Sequence, residues 1–544
     1  MMLRLHEIRL PLDHDAAALR MAVEQRLGAA PRAMQVVRRG VDARKRADIR
    51  AVYSVDVIPA VTPPDHPRQA PAPDMRYQFV AQAPATLAER PVVVGTGPCG
   101  LFAALLLAQM GFRPIIIERG QPVRQRTKDT WAMWRRGVLN GESNVQFGEG
   151  GAGTFSDGKL YSQIRDPLLH GRKVLTEFVK AGAPEEILWV SRPHIGTFRL
   201  VSMVERMRAE IEALGGEYRW GTRMEGVMLD DDRRLRGLAL SDGSTLPTRH
   251  AVLALGHSAR DSFAMLHAAG VAMAAKPFSI GVRIEHPQSL IDAARYGAFA
   301  GHPILGAADY KLVHHASNGR GVYSFCMCPG GRVVAAASEP GRLVTNGMSQ
   351  YSRAEFNANA GIVVGITPAD FPEAGPLGGI AFQRHWEARA FTVGGGTYAA
   401  PAQRVEDFLA GRPSTTLGNV TPSYKPGVTP TDLALCLPDF AVAAIREALP
   451  AFARQLRGFA LPDAVMTGVE TRTSSPLRID RTDVCESPNT PGLYPAGEGA
   501  GYAGGILSAG VDGIRVAEAV ACAMLGRQLP PERRRAPPVT EGWG

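Results

Sequence analysis

Two periods of apolar positions divide the chain. In "LRLHEIRL" apolar and polar residues alternate as in a strand, and over 15–27 Leu19, Val23 and Leu27 recur on one helical stripe. "AMQVVRR" and "IRAVYSVDV" read as two further strands, so residues 1–58 are expected to form a small βαββ module. Proline and alanine crowd 59–90 ("IPAVTPPDHPRQAPAP"), which predicts an extended, semi-rigid linker.

From residue 91 short apolar runs alternate with helical periodicity. A strand is predicted over 91–95, a helix over 99–110 and a strand over 114–118. After a long glycine-bearing stretch comes a helix over 197–214, with Leu200, Val204, Met207, Ile211 and Leu214 at helical spacing, then short strands to about residue 256. This alternation predicts an α/β fold on a parallel sheet. Residues 277–465, rich in loops and short strands, read as an inserted mixed α+β domain. The first domain therefore spans 91–276 and 466–526, and 527–544 read as a loose tail.

At 544 residues, 45% of them hydrophobic and 21% charged, the chain is expected to be soluble, globular and multidomain. A net charge of +9 is modest for that length; it favours anionic ligands and argues against nucleic acid as the main partner. The basic loop "GVDARKRAD", with Arg38, Arg39 and Arg50, reads as a solvated face before an RNA- or phosphate-binding one. The start lacks the apolar core of a secretory signal and no uncharged apolar run reaches the roughly 18 residues that span a bilayer, so a cytoplasmic protein without a membrane partner is expected. The six cysteines show neither C-x-x-C nor zinc spacing, so no metal site is expected.

"PVVVGTGPCGLFAALLLAQMGFRPIIIERG" carries Gly95, Gly97 and Gly100 between a strand and a helix. Gly95 makes the tight turn, Gly97 admits a pyrophosphate to the backbone, and Gly100 lets the helix pack on the strand. Pro98 and Cys99 open that helix, whose N-terminus receives phosphate. Glu118, followed by Arg119, ends the second strand, placed to accept both ribose hydroxyls and to repel a 2′-phosphate. NADP is disfavoured; FAD and NAD remain.

"GEGAGYAGGI" (497–506) sets five glycines just ahead of the apolar stretch from Val511 to Leu525. Gly497 and Glu498 follow a predicted strand over 492–496, and Gly504 and Gly505 open a helix. Glu498 can accept from a ribityl hydroxyl, and the amides near Gly505 and Ile506 can face the flavin pyrimidine edge. NAD has no ribityl chain, which selects FAD.

On these residues the chain resembles the bacterial uncharacterised FAD-dependent dehydrogenases, a branch of the glutathione-reductase-like flavoproteins with an extra N-terminal module. The resemblance runs over nearly the whole chain, through "GTGPCGLFAALLLAQMG", "SNVQFGEGGAGTFSDGKL", "RPHIGT", "LALGHSARD", "FSIGVRIEHPQ", "YSFCMCPGG", "TNGMSQYSR", "VETRTSSPLRI" and "GEGAGYAGGILSAGVDGI". It implies bound FAD on a Rossmann-type domain with an inserted substrate or cap domain, and supplies no substrate. Glu498 departs from the wider flavoprotein pattern, where the acid is aspartate.

"QFGEGGAGTFSDGKL" (146–160) looks like the second FAD-contacting stretch of such enzymes, with Gly150, Gly151 and Gly153 close to pyrophosphate and flavin and Ser156, Asp157 and Lys159 adding polar contacts. Gly256 matches the glycine that related flavoproteins pass over the dinucleotide, with His257 beside it as a structural partner. Cys326, Cys328, Lys159 and Arg472 are the catalytic candidates; His194, His286 and Lys311 are further candidates for gripping an anionic substrate or moving protons. On an extended strand the two cysteines would sit about 6.5–7 Å apart, wrong for an ordinary disulfide. A thiol near the flavin becomes redox-active only if its pKa is lowered.

No second G-x-G-x-x-G follows a strand, so reduction by the substrate itself or by a transient NAD(P)H is expected rather than a dedicated NAD(P)H domain. The resulting expectation is an FAD-dependent oxidoreductase passing a hydride between flavin N5 and a small organic substrate. The alternatives are a flavin-bearing RNA- or partner-binding redox protein and a flavin-dependent RNA-modifying enzyme. The sequence does not define the oligomeric state.

Overall fold

The computed structural model describes residues 1–162, 164 and 166–534. Ten residues of the expected tail, 535–544, lie outside the described residues. The N-terminal strands Leu3–Pro11, Ala33–Asp42 and Arg50–Ile58 form an antiparallel sheet with Leu3–Pro11 beside Arg50–Ile58. The helix Ala16–Leu27 is capped by Asp15, whose carboxylate accepts from Ala18 N at 2.7 Å. It buries Leu19, Val23 and Leu27 on Leu5, Ile8 and Val55.

The expected linker is not free. Its Gln69–Pro71 adds a fourth strand on Leu3–Leu5, and Ala83 N donates to Met110 O at 2.8 Å. Tyr77 Oη donates to Glu518 Oε1 at 2.5 Å, on a carboxylate that also meets His170 Nε2 at 3.1 Å and the Arg533 guanidinium. Composition hid this strap because proline excludes helix without excluding packing. The N-terminal module is docked as well: Arg39 exchanges backbone hydrogen bonds with Trp189 and Ser191, its guanidinium lies 4.8 Å from the Trp189 ring centre, and Arg46 donates to Ala293 O at 2.8 Å. Part of the basic patch is thus used inside the molecule, with Arg44 paired to Asp42 and Arg50 to Asp48.

Five parallel strands carry the first glycine cluster. Val92–Val94 is central and fully buried between Ala251–Leu253 and Ile115–Glu118, with Leu493–Pro495 and Glu217–Trp220 at the edges. Strands covered on both faces read as unbroken apolar runs, hence "VVV" and "III". The helices Pro98–Gln109 and Ile506–Met524 pack together so tightly that a Cβ on Gly513 would lie 2.2 Å from Cys99 O.

A seven-stranded sheet occupies the expected insertion. Its order is Val313–His315, Gly321–Cys328, Asn357–Ile366, Phe278–Pro287, Val465–Glu470, Ala400–Arg404 and Val428–Pro430, antiparallel except for the last pair. Two of these strands run for ten residues, longer than the short strands expected. The helix Asp439–Gln455 buries Ala441, Ile445, Leu449 and Phe452 in the same core as Ile280, Ile284 and Ile362. Val465–Glu470 pairs within this sheet, so the chain returns to the parallel sheet after residue 470 and not at 465. The outgoing and returning passages, Met273–Ala275 and Leu477–Ile479, pair antiparallel. Among the described residues no helix is long and apolar enough to cross a membrane.

Candidate active site

A cavity of about 490 Å³ opens where the C-terminal ends of the parallel strands meet the seven-stranded sheet. Its wall contains Gly95, Gly97, Pro98, Cys99, Glu118, Arg119, Gly151, Gly153, Ser156, Asp157, Gly256, Gly497, Glu498, Gly504, Gly505 and Ile506, so segments four hundred residues apart share one cleft. Gly100 and Gly150 are not in the wall. A Cβ on Gly100 would stand 1.9 Å from Gly95 O, which is the packing role expected of it, and one on Gly150 would stand 2.1 Å from Thr154 Oγ1.

The first turn is fixed by backbone geometry. Gly95 has φ +99°, its N donates to Ile117 O at 2.8 Å, and a Cβ there would meet Ala254 O at 2.4 Å. Gly151 crosses this turn, since its Cβ would lie 2.7 Å from Gly97 Cα. Glu118 lines the cavity with both oxygens already engaged: Oε2 accepts from Thr96 N and Oγ1, and Oε1 from Gly120 N and Gly148 N. A ribose hydroxyl would share these oxygens with protein donors. The carboxylate thus also binds the two glycine-bearing loops to each other.

At the opposite end the glycines of 504–505 face space. A Cβ added to Gly504 would have no protein atom within 4 Å, and Gly505, with φ 168°, is in extended backbone open to any residue. Nothing within the protein forbids side chains there. The Glu498 carboxylate accepts no hydrogen bond among the described residues, and burial raises its pKa to about 7 despite the opposing pull of Lys276. A half-buried acceptor without a protein donor, lining the cavity beside glycines that only a ligand requires, fits the ribityl and flavin end of FAD.

Several expected polar contacts are redirected. Asp157 is held by Arg353 at 3.0 and 2.5 Å, and Ser156 Oγ donates to Gly153 O at 2.7 Å. Arg472 borders the cavity, but Glu387 takes its Nε and Nη2 at 3.1 and 3.0 Å and its Nη1 donates to Ser258 and Ser338. Glu387 also binds Arg260 at 2.6 Å, so Arg472 belongs to a buried ionic cluster joining the two sheets and is not a free grip for substrate. His257 stays neutral: burial, then Arg472 and Arg260, push its pKa down to about 3.

His194 stacks on Tyr351 and bonds its carbonyl at 3.0 Å, and His286 is buried against Phe459 O at 2.6 Å; neither is in the wall. Lys159 and Lys311 are. The Lys159 amine contacts Met327 O and lies 3.9 Å from Asp157 Oδ2. Burial opposes its charge, and Cys326, Cys328 and Asp157 outweigh burial and raise its pKa.

Cys326 is in the wall and Cys328 is fully buried behind it. The strand is bulged between Phe325 and Cys328, Cys326 takes φ +42°, and Cys328 Sγ donates to Cys326 O at 3.3 Å. The two cysteines therefore do not lie on the regular extended strand expected. The neighbouring Cys328 side chain, against burial and with Arg283 and Lys159 adding to it, pulls the Cys326 thiol pKa down. Arg283 is wholly buried: it donates to Glu470 at 2.9 Å twice, to Cys326 O and Asn359 at 3.0 Å, and to Asn346 at 3.1 Å. Sequence reasoning singled out none of Arg283, Asn346, Arg353, Glu387 or Glu470. All but Glu387 lie in the quoted blocks, but no spacing rule marks them, because their partners are remote in sequence.

The chain matches two family models: FAD-dependent protein, C-terminal domain-like, over residues 277–473, and a domain of unknown function (DUF8436) over residues 2–58. With the fit of the cavity, the first identifies FAD as the cofactor. An "Uncharacterized protein" of Clostridium beijerinckii (strain ATCC 51743 / NCIMB 8052) is 47% identical over 527 residues, covering 95% of this chain and 98% of that one. The chain belongs to the same family. Among solved structures, halogenase PltM in complex with phloroglucinol and FAD aligns with 82% of this chain and 72% of its own at 13% identity and TM-score 0.39. L-proline dehydrogenase from P. horikoshii aligns over 82% and 96% at 13% identity and TM-score 0.35, and glycine oxidase from Bacillus cereus ATCC 14579 over 81% and 96% at 11% and 0.31.

Proposed function

We propose that this protein is an FAD-dependent oxidoreductase acting on a small, anionic organic molecule, with a Rossmann-type domain holding the dinucleotide and the seven-stranded domain serving as cap. When bound, FAD supplies two-electron chemistry, exchanging a hydride at N5. The observation that carries this reading is the cleft shared by the Gly95–Gly97 turn and the Gly504–Gly505 loop, with Glu498 unpaired between sheet and cap.

The chain's own residues set the rest. Lys159 presents a charged amine to an anion at the cap side. Glu498, titrating near neutrality, can hold or release a proton at a carboxylate oxygen, whereas neutral His257 has none to give as imidazolium. The ionic cluster of Glu387 with Arg260 and Arg472 fixes cap against sheet beside the cavity.

The test is to purify the full chain, record its visible absorbance, and add NADH, NADPH and a panel of small organic acids without oxygen. Retained FAD whose absorbance bleaches with one of these donors is the expected result. A colourless protein that binds no added FAD would overturn the reading.

A further inference from the structure

We propose that Cys326 and Cys328 form a redox-active thiol pair, in which Cys326 attacks a small disulfide entering the cavity and Cys328 resolves the product into an intramolecular disulfide. The inference deepens the oxidoreductase reading and rests on it for the shared cavity, since it names the class of molecule that reacts there.

Geometry is the first ground. Between the pairs Phe325 with Gly361 and Cys328 with Asn359, three steps of one strand face two of its partner, so one residue is extra. The left-handed conformation of Cys326 takes up that residue and folds Cys328 Sγ back to 3.3 Å from the Cys326 carbonyl. A regular strand holds alternate residues about 6.5–7 Å apart, at the upper limit of the Cα separations of roughly 4.4–6.8 Å that disulfides accept, and the bulge frees this pair from that regular spacing. A side chain held at positive φ without being glycine is strained and calls for a reason. Juxtaposing two thiols supplies one.

Asymmetry is the second ground. Cys326 faces the cavity and Cys328 is wholly buried, as an attacking and a resolving sulfur should be. Cations accompany the first sulfur: the Lys159 amine beside Met327 O, and Arg283 donating to the Cys326 carbonyl at 3.0 Å. Cys99, Cys436, Cys485 and Cys522 are buried, and burial raises the pKa of each, so they remain thiols.

The step balances. The Cys326 thiolate attacks one sulfur of RSSR; the Cys326–SR bond forms, the S–S bond of RSSR breaks and RS⁻ leaves. Cys328 gives its proton to a thiolate and attacks Cys326 Sγ, expelling the second RS⁻. Two electrons pass to RSSR, which becomes two RSH, and the protein pair becomes a disulfide.

The experiment uses reduced, FAD-loaded, full-length protein and glutathione disulfide as the probe, followed by acid quench, alkylation and peptide mass spectrometry. Wild type should lose two hydrogens on the peptide bearing Cys326 and Cys328. Cys328→Ser should stop at a glutathione adduct on Cys326, and Cys326→Ser should form neither product. Iodoacetamide at pH 6 should modify Cys326 roughly tenfold faster than a free cysteine, since a larger thiolate fraction outweighs lower nucleophilicity. An unmodified Cys326 in both wild type and Cys328→Ser would overturn the inference, as would a wild-type adduct that never closes on Cys328. Retained FAD absorbance in the same samples reports on the cofactor separately, so failure of the pair leaves the FAD reading standing.

Discussion

Asp157 and Arg353 form a two-pronged ion pair, 3.0 and 2.5 Å, that ties the glycine-bearing 146–160 loop to the loop following Thr345–Ser349. Asp157 is almost wholly buried, 1% exposed in its side chain, so its partner sets its stability. Removing one member of a buried pair costs about 3–5 kcal/mol because the other charge is left unpaired. Arg353→Ala should therefore lower the urea midpoint more than the double variant Arg353→Ala with Asp157→Asn, which leaves no buried carboxylate without its guanidinium. Equal losses in both would show that the pair itself is not what matters.

Gly504 and Gly505 separate a ligand's demand from the fold's. Gly504→Val meets open space, so circular dichroism and melting should be unchanged while FAD affinity falls at least about tenfold, roughly 1.4 kcal/mol. Gly100→Ala should do the reverse and destabilise the protein, its methyl being forced onto Gly95 O at 1.9 Å. Unchanged FAD binding in Gly504→Val would place the cofactor elsewhere.

Glu498 gives a pH dependence with a definite sign. Its pKa in the folded apoprotein is about 7, above the ordinary 4.5, so the folded state binds the extra proton. The associated stability is fully present below pH 4.5 and is lost as pH rises through 7. Glu498→Gln should melt above wild-type apoprotein at pH 8 by about 1–3 kcal/mol, a range that allows for water in the cavity, and should match it at pH 4.5. A difference that does not change between these pH values would contradict the assignment.

Glu387 should behave oppositely. Burial opposes its charge, but Arg260 and Arg472 outweigh burial and depress its pKa, so its contribution is present above the usual carboxylate range and fades as pH falls through the depressed value. Glu387→Gln should cost about 3–5 kcal/mol at neutral pH, leaving two buried guanidiniums without the carboxylate charge that faces them. Thermal melts of variant and wild type across acid pH would check both statements.

The dinucleotide half was legible because glycine spacing there reports directly on backbone geometry: Gly95 and Gly100 stand where the turn and the helix packing require. The cap was much less legible. "FSIGVRIEHP" is a fully buried strand up to His286 that nevertheless contains Arg283, Glu285 and His286, so neither an apolar run nor a clean alternation marks it. Those groups are hydrogen-bonded to Glu470, Ser423 and the Phe459 carbonyl, partners that no local window contains. The cysteine bulge was hidden for a related reason, since an extra residue in a ladder exists only relative to the neighbouring strand.

The strap through Gln69–Pro71 and Tyr77 has a practical consequence for dissecting the molecule. A cut after residue 80 would remove the phenol that caps Glu518 and leave that carboxylate inside the core with fewer donors, so damage to the flavin half would follow from the cut itself. Stopping the deletion at Pro71 takes the whole four-stranded module and spares the Tyr77 tether, so any change in RNA or partner binding in that shorter deletion is attributable to the module.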